Sequence, residues 1–428
     1  MSNFLTSKFT FYRAGQGSFY AGRIYDRNRS SCYTVVYDCG TSQFIAGHTK
    51  SLNNEIDDFR ENTLPCYPDG VIDLLFISHL DFDHVSGIRK LLNEFVVKKI
   101  VIPYFPESIR KYSLLSYSEE VAEAEFSFEE YASFIDNPYR YLSGDGRREI
   151  YIVLDEETGE YNPNENPGDE VGIFPAGTIS GTLVNELFNL SGVYTYKNNL
   201  QFFINTKWEF TTYFKSVSDI QYQKLQKSIN AIIGQPESHI LDLTEIRNII
   251  ISNRKKAHEC YVKCLPDINC FGLVLLHGPT NYKYLEGKLS FFNLLNRYSI
   301  NPYESMFRNG GNRSSPNDKF LGTLLMGDTS LKPENNPVDF PAQFREKVKS
   351  LHIFQVPHHG SEKNWDYQVY EELLMTQYYP YPYIVNVCNF GYGNKFGHPG
   401  HRILESIGSN LILNSQFLRF SYKYKIHY

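Results

Sequence analysis

At 428 residues the chain has room for two or three domains, or for one large domain carrying an insertion. Its 42% hydrophobic content supports a sizeable core, yet no run approaches the roughly 18 apolar residues that a bilayer span requires. The formal net charge of −6 gives no global attraction to nucleic acid or an anionic membrane, although a local basic groove is compatible with it. Seven cysteines, scattered and odd in number, with no export signal at the N-terminus, predict reduced thiols and a cytoplasmic location without a membrane partner. The 15% aromatic content is spread along the whole chain and reads as composition bias rather than as a stacking platform for bases.

Residues 8–23 read as a strand, a Gly15-Gln16-Gly17 turn and a second strand, and Cys32 to Gly40 as another strand ending in an acidic turn at Asp38. Cys39 reads as a packed thiol. Asp38 has two open readings: a turn stabiliser, or a carboxylate that hydrogen-bonds a metal-ligating histidine. Val71 to Ile77 is an apolar, β-forming run, and Ile88, Leu91, Leu92 and Phe95 mark a helix. Between them lies His79-Leu80-Asp81-Phe82-Asp83-His84, four metal-ligating side chains within six residues on a strand-to-helix loop. Imidazoles and carboxylates packed this densely are costly to bury unless a cation neutralises them.

Val96 to Pro103 reads as the next strand. Beyond it, Asp155 to Glu170 is an acidic, Pro/Asn/Gly-rich stretch expected to be a solvated loop. Strands are expected at Val171 to Pro175, Gln201 to Asn205 and Trp208 to Phe214, and helices over Val217 to Ile232 and Leu243 to Cys264. His258, Cys260, Cys264 and Cys270 lack a Cys-x-x-Cys knuckle, and the cysteines read as core packing rather than a zinc site. Asn269 to His277 is a buried-strand pattern. His277 at its end is either a third metal histidine or an ordinary strand-end residue. Asn309 to Pro316 reads as loop.

The last third holds three further motifs. Phe320 to Met326 is apolar and delivers Gly327-Asp328. Leu351 to Pro357 is a strand that delivers His358-His359-Gly360-Ser361. Tyr383 to Cys388 leads through Asn394 to His398-Pro399-Gly400-His401 and a helix from Ile403 to Ile407. His48, His239, His352 and His427 match no motif and read as structural or exposed.

The His79 to His84 motif resembles the first metal motif of the metallo-β-lactamase superfamily, with Asp81 in place of the second histidine. That form resembles the soluble hydrolase domain of ComEC-type DNA-uptake proteins, and the Gly327-Asp328, His358-His359-Gly360-Ser361 and His398-Pro399 stretches extend the likeness. The resemblance implies an α/β fold, a metallo-β-lactamase-like αββα four-layer sandwich with a large mid-chain insertion. Residues 1–104 would form the N-terminal half, 105–265 a family-divergent insertion of mixed strands and helices, and 266–428 the C-terminal half. It implies a centre for two divalent metal ions, zinc or manganese, held by His79, Asp81, Asp83, His84, Asp328, His358 and His398, with Asp328 bridging.

A hydroxide bridged between two cations would be the nucleophile. Asp83 also belongs to the catalytic set, and His359 or His401 would protonate a leaving group or clamp an anionic oxygen. The carboxylate Asp81 adds a hard oxygen that suits manganese, with zinc still accommodated. These features and the resemblance favour a metal-dependent phosphodiesterase or nuclease acting on nucleic acid or a nucleotide, and the resemblance further implies a stand-alone bacterial member within a defence system beside an operon-encoded protein partner. Two other readings stay open: a metallo-hydrolase of amide, ester or peptide bonds, and a non-catalytic partner-binding module.

Overall fold

A computed structural model describes residues 4–42, 51–61, 70–117, 127–144, 146–155, 169–174, 177–184, 192–198, 200–216, 219–239, 241–268, 271–293, 305–310, 321–332, 339–340, 342–348, 351–375 and 384–428. Its first half contains β1 (Phe4–Phe11), β2 (Phe19–Asp26), β3 (Ser31–Cys39), β4 (Val71–Phe76), β5 (Val96–Pro103), β6 (Glu149–Val153), β7 (Asp169–Phe174), β8 (Gly177–Val184) and β9 (Val193–Tyr196). Its second half contains β10 (Gln201–Ile204), β11 (Trp208–Lys215), β12 (Gly272–Pro279), β13 (Tyr284–Asn293), β14 (Ser305–Gly310), β15 (Gly322–Leu325), β16 (Leu351–Gln355), β17 (Val385–Asn389), β18 (Leu411–Asn414) and β19 (Leu418–His427).

The strands form two mixed sheets. In the first, β14, β13, β19, β1, β2 and β3 pair antiparallel in that order, and β3, β4, β5, β6 and β9 continue in parallel. In the second, β7, β8, β10, β11, β12 and β15 pair antiparallel, and β15, β16, β17 and β18 run parallel. β8 pairs with β10 near its start and with β9 near its end, so it passes from one sheet to the other. β19 lies beside β1, which brings the two ends of the chain together. Residues 105–265 supply β6 and β9 to the first sheet, β7, β10 and β11 to the second, and β8 to both.

Side-chain alternation explains the layering. Along β12, Leu273 and Leu275 join the core between the sheets, while Val274 and Leu276 face a second cluster. That second cluster packs Phe344 and Val348, Leu374, and Ile403 and Ile407 from three helices onto the second sheet. On the first sheet, Leu52, Ile56 and Phe59 of the helix Ser51–Glu61 and Ile88 and Leu91 of the helix Ile88–Glu94 do the same. The order is therefore helices, sheet, sheet, helices, as the resemblance implied.

The layer between the sheets is built from aromatic rings. Phe76 stacks on Phe210 at 6.0 Å, Phe9 on Trp208 at 5.5 Å, and Tyr151 meets Phe202 edge-on at 5.4 Å. Such pairs contribute roughly 0.5–1.5 kcal/mol each beyond their buried area. Much of the aromatic content thus serves the core.

Several local expectations are corrected. Asn309 and Gly310 are strand rather than loop, because pairing with Leu285 and Tyr284 supplies hydrogen bonds that a local turn could not. Asp155 is buried rather than solvated, and its carboxylate accepts the Ser216 N–H at 2.7 Å; Asp169 and Glu170 begin β7. Residues 156–168, Cys270, His48 and residues 311–316 lie outside the described residues, as do the side chains of His258, Cys260 and Cys264. Among the described residues no helix is long and apolar enough to cross a membrane.

Candidate metal centre

Four loops at the ends of β3, β4, β15 and β16 converge. β4 runs into Ile77-Ser78-His79, and a single helical turn, Phe82–Val85, then presents Asp83 and His84. This turn sits on two glycines. A Cβ on Gly40 would lie 2.5 Å from the Asp83 carbonyl carbon, and one on Gly17 would lie 2.7 Å from the Asp83 carbonyl oxygen. Only glycine permits so close a backbone approach. β15 ends in Gly327-Asp328, where the Gln355 side-chain oxygen accepts the Met326 N–H at 2.9 Å. The Gly327 carbonyl in turn accepts the His358 N–H at 2.9 Å.

Left-handed backbone is concentrated here, with Asp38 at φ 54°, His358 at 47° and His359 at 53°. Non-glycine residues adopt such angles at a cost of order 1–3 kcal/mol, and they persist where surrounding contacts fix them.

The hydrogen bonds set the tautomer of three histidines. Asp38 accepts the Ser78 N–H and the Ser78 hydroxyl, each at 2.7 Å. With its one proton so used, Ser78 Oγ accepts from His79 Nδ1 at 2.9 Å. Asp38 also accepts from His84 Nδ1 at 2.8 Å. The Asn389 carbonyl accepts from His359 Nδ1 at 3.0 Å. In all three rings the outer nitrogen carries the proton, leaving the lone pair on Nε2. Those Nε2 atoms are buried and make no hydrogen bond among the described residues.

All three lone pairs point at carboxylates. Asp328 Oδ1 lies 3.1 Å from His84 Nε2 and 3.7 Å from His359 Nε2. Its Oδ2 lies 3.8 Å from His79 Nε2 and 3.7 Å from His358 Nε2. Asp83 Oδ2 lies 3.2 Å from His359 Nε2. Donor atoms of His79, Asp83 and His84, and those of His84, Asp328 and His359, lie within 4.8 Å of one another. Ligands about 2.0–2.1 Å from a common ion in tetrahedral array stand about 3.4 Å apart. The spacing, the donor types and the unbonded Nε2 atoms therefore fit divalent cations, with the two Asp328 oxygens facing different histidine pairs.

The charges respond to this crowding. Burial opposes ionisation of Asp328, but the four surrounding histidines outweigh it and hold the carboxyl well below its ordinary range. Burial likewise disfavours a charged His84, yet Asp328 and Asp38 raise its pKa well above the usual value. His359 is raised in the same way, against burial, by Asp328 and Asp83. Burial pushes His79 down to about 3. Without a cation, the carboxylates thus favour a second proton on His84 and His359.

Of the residues expected from sequence, His79, Asp83, His84, Asp328 and His359 come together in these two groups, and His358 adjoins them through Asp328. Asp81 is buried close to Tyr131 and belongs to neither group. The His398 ring lies 5.8 Å from that of His358. His401 is exposed beside Glu405, at 3.3 Å. His398 and His401 line, with His358, Ser361, Lys363 and Lys395, a cleft of about 440 Å³. His277 is buried between the sheets, where it bonds the Tyr20 hydroxyl at 2.7 Å, away from this cluster. His352 is likewise buried, bonded to Tyr424 at 2.6 Å.

Sequence reasoning missed Ser78 and the Asn389 carbonyl, whereas the Gly15-Gln16-Gly17 turn was expected by resemblance to approach the metals. The only signal for Ser78 was its place next to His79; the Asn389 carbonyl acts through backbone and left none.

Residues 33–175 match the family model of the Metallo-beta-lactamase superfamily. No curated protein matches this chain. A solved structure described as "Peroxy diiron species of chemotaxis sensor ODP" is 16% identical, with a TM-score of 0.19, over 45% of this chain and 54% of that one. The chain spans about half the length of that structure. The match makes residues 33–175 similar to a metallo-β-lactamase domain of mixed α/β build, and it supports a metal-dependent hydrolase in general terms.

Proposed function

We propose that the chain is a dinuclear metal-dependent phosphodiesterase acting on nucleic acid or a nucleotide. The observation that carries the metal is the convergence of three imidazole lone pairs on Asp83 and Asp328, each fixed by a proton held on the opposite nitrogen. When bound, a pair of manganese or zinc ions supplies Lewis acidity and lowers the pKa of a water towards about 7. His79, His84, His359, Asp83 and Asp328 would hold the ions, with Asp328 shared and His358 completing the Oδ2 side.

The phosphodiester reading rests on the cleft. Lys363, Lys395 and Ser361 line it beside His358, together with Glu362, and the two cations and the hydroxyl support an anionic substrate. Gln16 Oε1 accepts the Gly391 N–H at 3.1 Å, which turns its amide N–H towards His398 Nδ1 at 3.4 Å. The His398 proton then belongs on Nε2, where it suits a hydrogen bond to a substrate oxygen. His401 stands at the rim of the cleft as a second candidate proton donor. The ComEC-like form of the motif supports a stand-alone bacterial member working beside an operon-encoded partner in defence. A full protective phenotype without the neighbouring genes would remove that part of the reading.

The test is metal content by mass spectrometry together with hydrolysis of bis-p-nitrophenyl phosphate, single-stranded DNA and a generic peptide. Two metals per chain and phosphodiester cleavage are expected, with both lost in Asp328→Asn and His359→Ala. His398→Ala and His401→Ala should keep the metals; loss of activity would mark the donor. Peptide cleavage alone would shift the substrate to carbonyl compounds, and a metal-free inert protein would leave a docking module.

A further inference from the structure

We infer that the outward face of the first sheet carries a second, separate binding site, for the phosphate backbone of a single-stranded nucleic acid. Register places four cations in one row across four neighbouring strands. Lys288 of β13 stands opposite Lys423 of β19, Lys423 opposite Lys8 of β1, and Lys8 opposite Arg23 of β2. Like charges directly opposite one another destabilise a sheet, so the Lys8–Lys423 pair is a cost to the fold unless an anion lies across it. At about 4.8 Å per strand, four positions span about 14 Å, the reach of a short run of phosphates rather than of one small ion.

Neighbouring cations on the same face are neutralised from within the chain. Arg419 is held by Glu55 and Asp58 at 2.7 and 2.5 Å, and Lys425 has Glu286 at 3.9 Å. Among the described residues, Lys8 and Lys423 have no such carboxylate. Burial, then Lys423, Arg419 and Arg23, all lower the Lys8 pKa, so the charged groups acting on it are cations. Lys8, Arg23 and Lys423 line a groove of about 310 Å³ together with Thr6, Thr10 and Tyr25. Hydroxyls beside cations suit phosphate oxygens, and the half-buried Tyr25 ring offers a face for a base, the combination by which grooves hold single strands. None of these residues belongs to the metal centre.

Binding of a fluorescent oligothymidylate to the full chain, followed by anisotropy across a salt series with a chelator to stop hydrolysis, tests this. Each phosphate neutralised contributes about −0.7 to the slope of log affinity against log salt for a single strand. The double variant Lys8→Gln, Lys423→Gln should weaken binding at least tenfold at low salt and flatten the slope by about 1.4. Its hydrolysis of bis-p-nitrophenyl phosphate, with metal restored, should match the unaltered protein, which separates this outcome from failure of the metal reading. Its melting temperature without ligand should be no lower, since repulsion is removed; Lys8→Gln alone serves if the double variant folds poorly. Equal oligonucleotide binding by variant and parent, or a variant that loses only inorganic tripolyphosphate, would overturn the inference.

Discussion

The Asp38 carboxylate accepts a hydrogen bond from His84 Nδ1 at 2.8 Å and thereby turns the His84 Nε2 lone pair towards Asp328. The same carboxylate accepts both donors of Ser78, and through Ser78 it also orients His79. One buried acid therefore orients two of the histidines.

Asp38→Asn tests that arrangement without disturbing the turn, because asparagine tolerates the left-handed backbone at this position. An amide has one acceptor oxygen for three donors, so at least one of Ser78 or His84 meets an N–H instead. Removal of such outer partners typically costs 10–100-fold in metal affinity. Chelator competition should show that loss, and unchanged affinity would mean Asp38 only shapes the turn.

Gly40→Ala probes the packing beneath the metal loop. The added methyl would meet backbone atoms of Asp83 and His84 at 2.5 Å, so the loop must move. Overpacking of this kind costs about 1–3 kcal/mol. A lower melting temperature together with reduced metal content is expected. A drop in stability with full metal content would show that the loop can shift without opening the site.

Metal uptake should strengthen as pH rises. His84 and His359 have pKa values raised in the folded, metal-free chain, and a cation must displace their protons. The sign for the metal-free protein is opposite. Stability from these raised groups is complete below the ordinary histidine value of about 6.5 and is lost as pH climbs through the folded values. The depressed Asp328 adds stability above the ordinary carboxylate value and loses it as pH falls through its folded one. Thermal melts with and without manganese should therefore diverge as pH increases. Parallel curves would argue that neither histidine meets the metal.

The sequence by itself determined the parts of this site that are local. Four ligand-type residues within six positions after an apolar strand, a Gly-Asp pair after another and a His-His-Gly turn after a third are short-range patterns, and strand periodicity placed each at a strand end. The layered fold followed from the same motifs by resemblance. What only the tertiary structure decided depends on distant segments meeting. Asp328 faces His79 and His84 because the two sheets pack together. His359 joins Asp83 because the Asn389 carbonyl turns its ring. His277, which the sequence left open as a metal histidine or a strand-end residue, is buried against Tyr20. The row of Lys288, Lys423, Lys8 and Arg23 exists only through register, since each residue is an ordinary surface cation on its own strand. Periodicity fixes which face a side chain takes, whereas the partner across the sheet is set by pairing between distant parts of the chain.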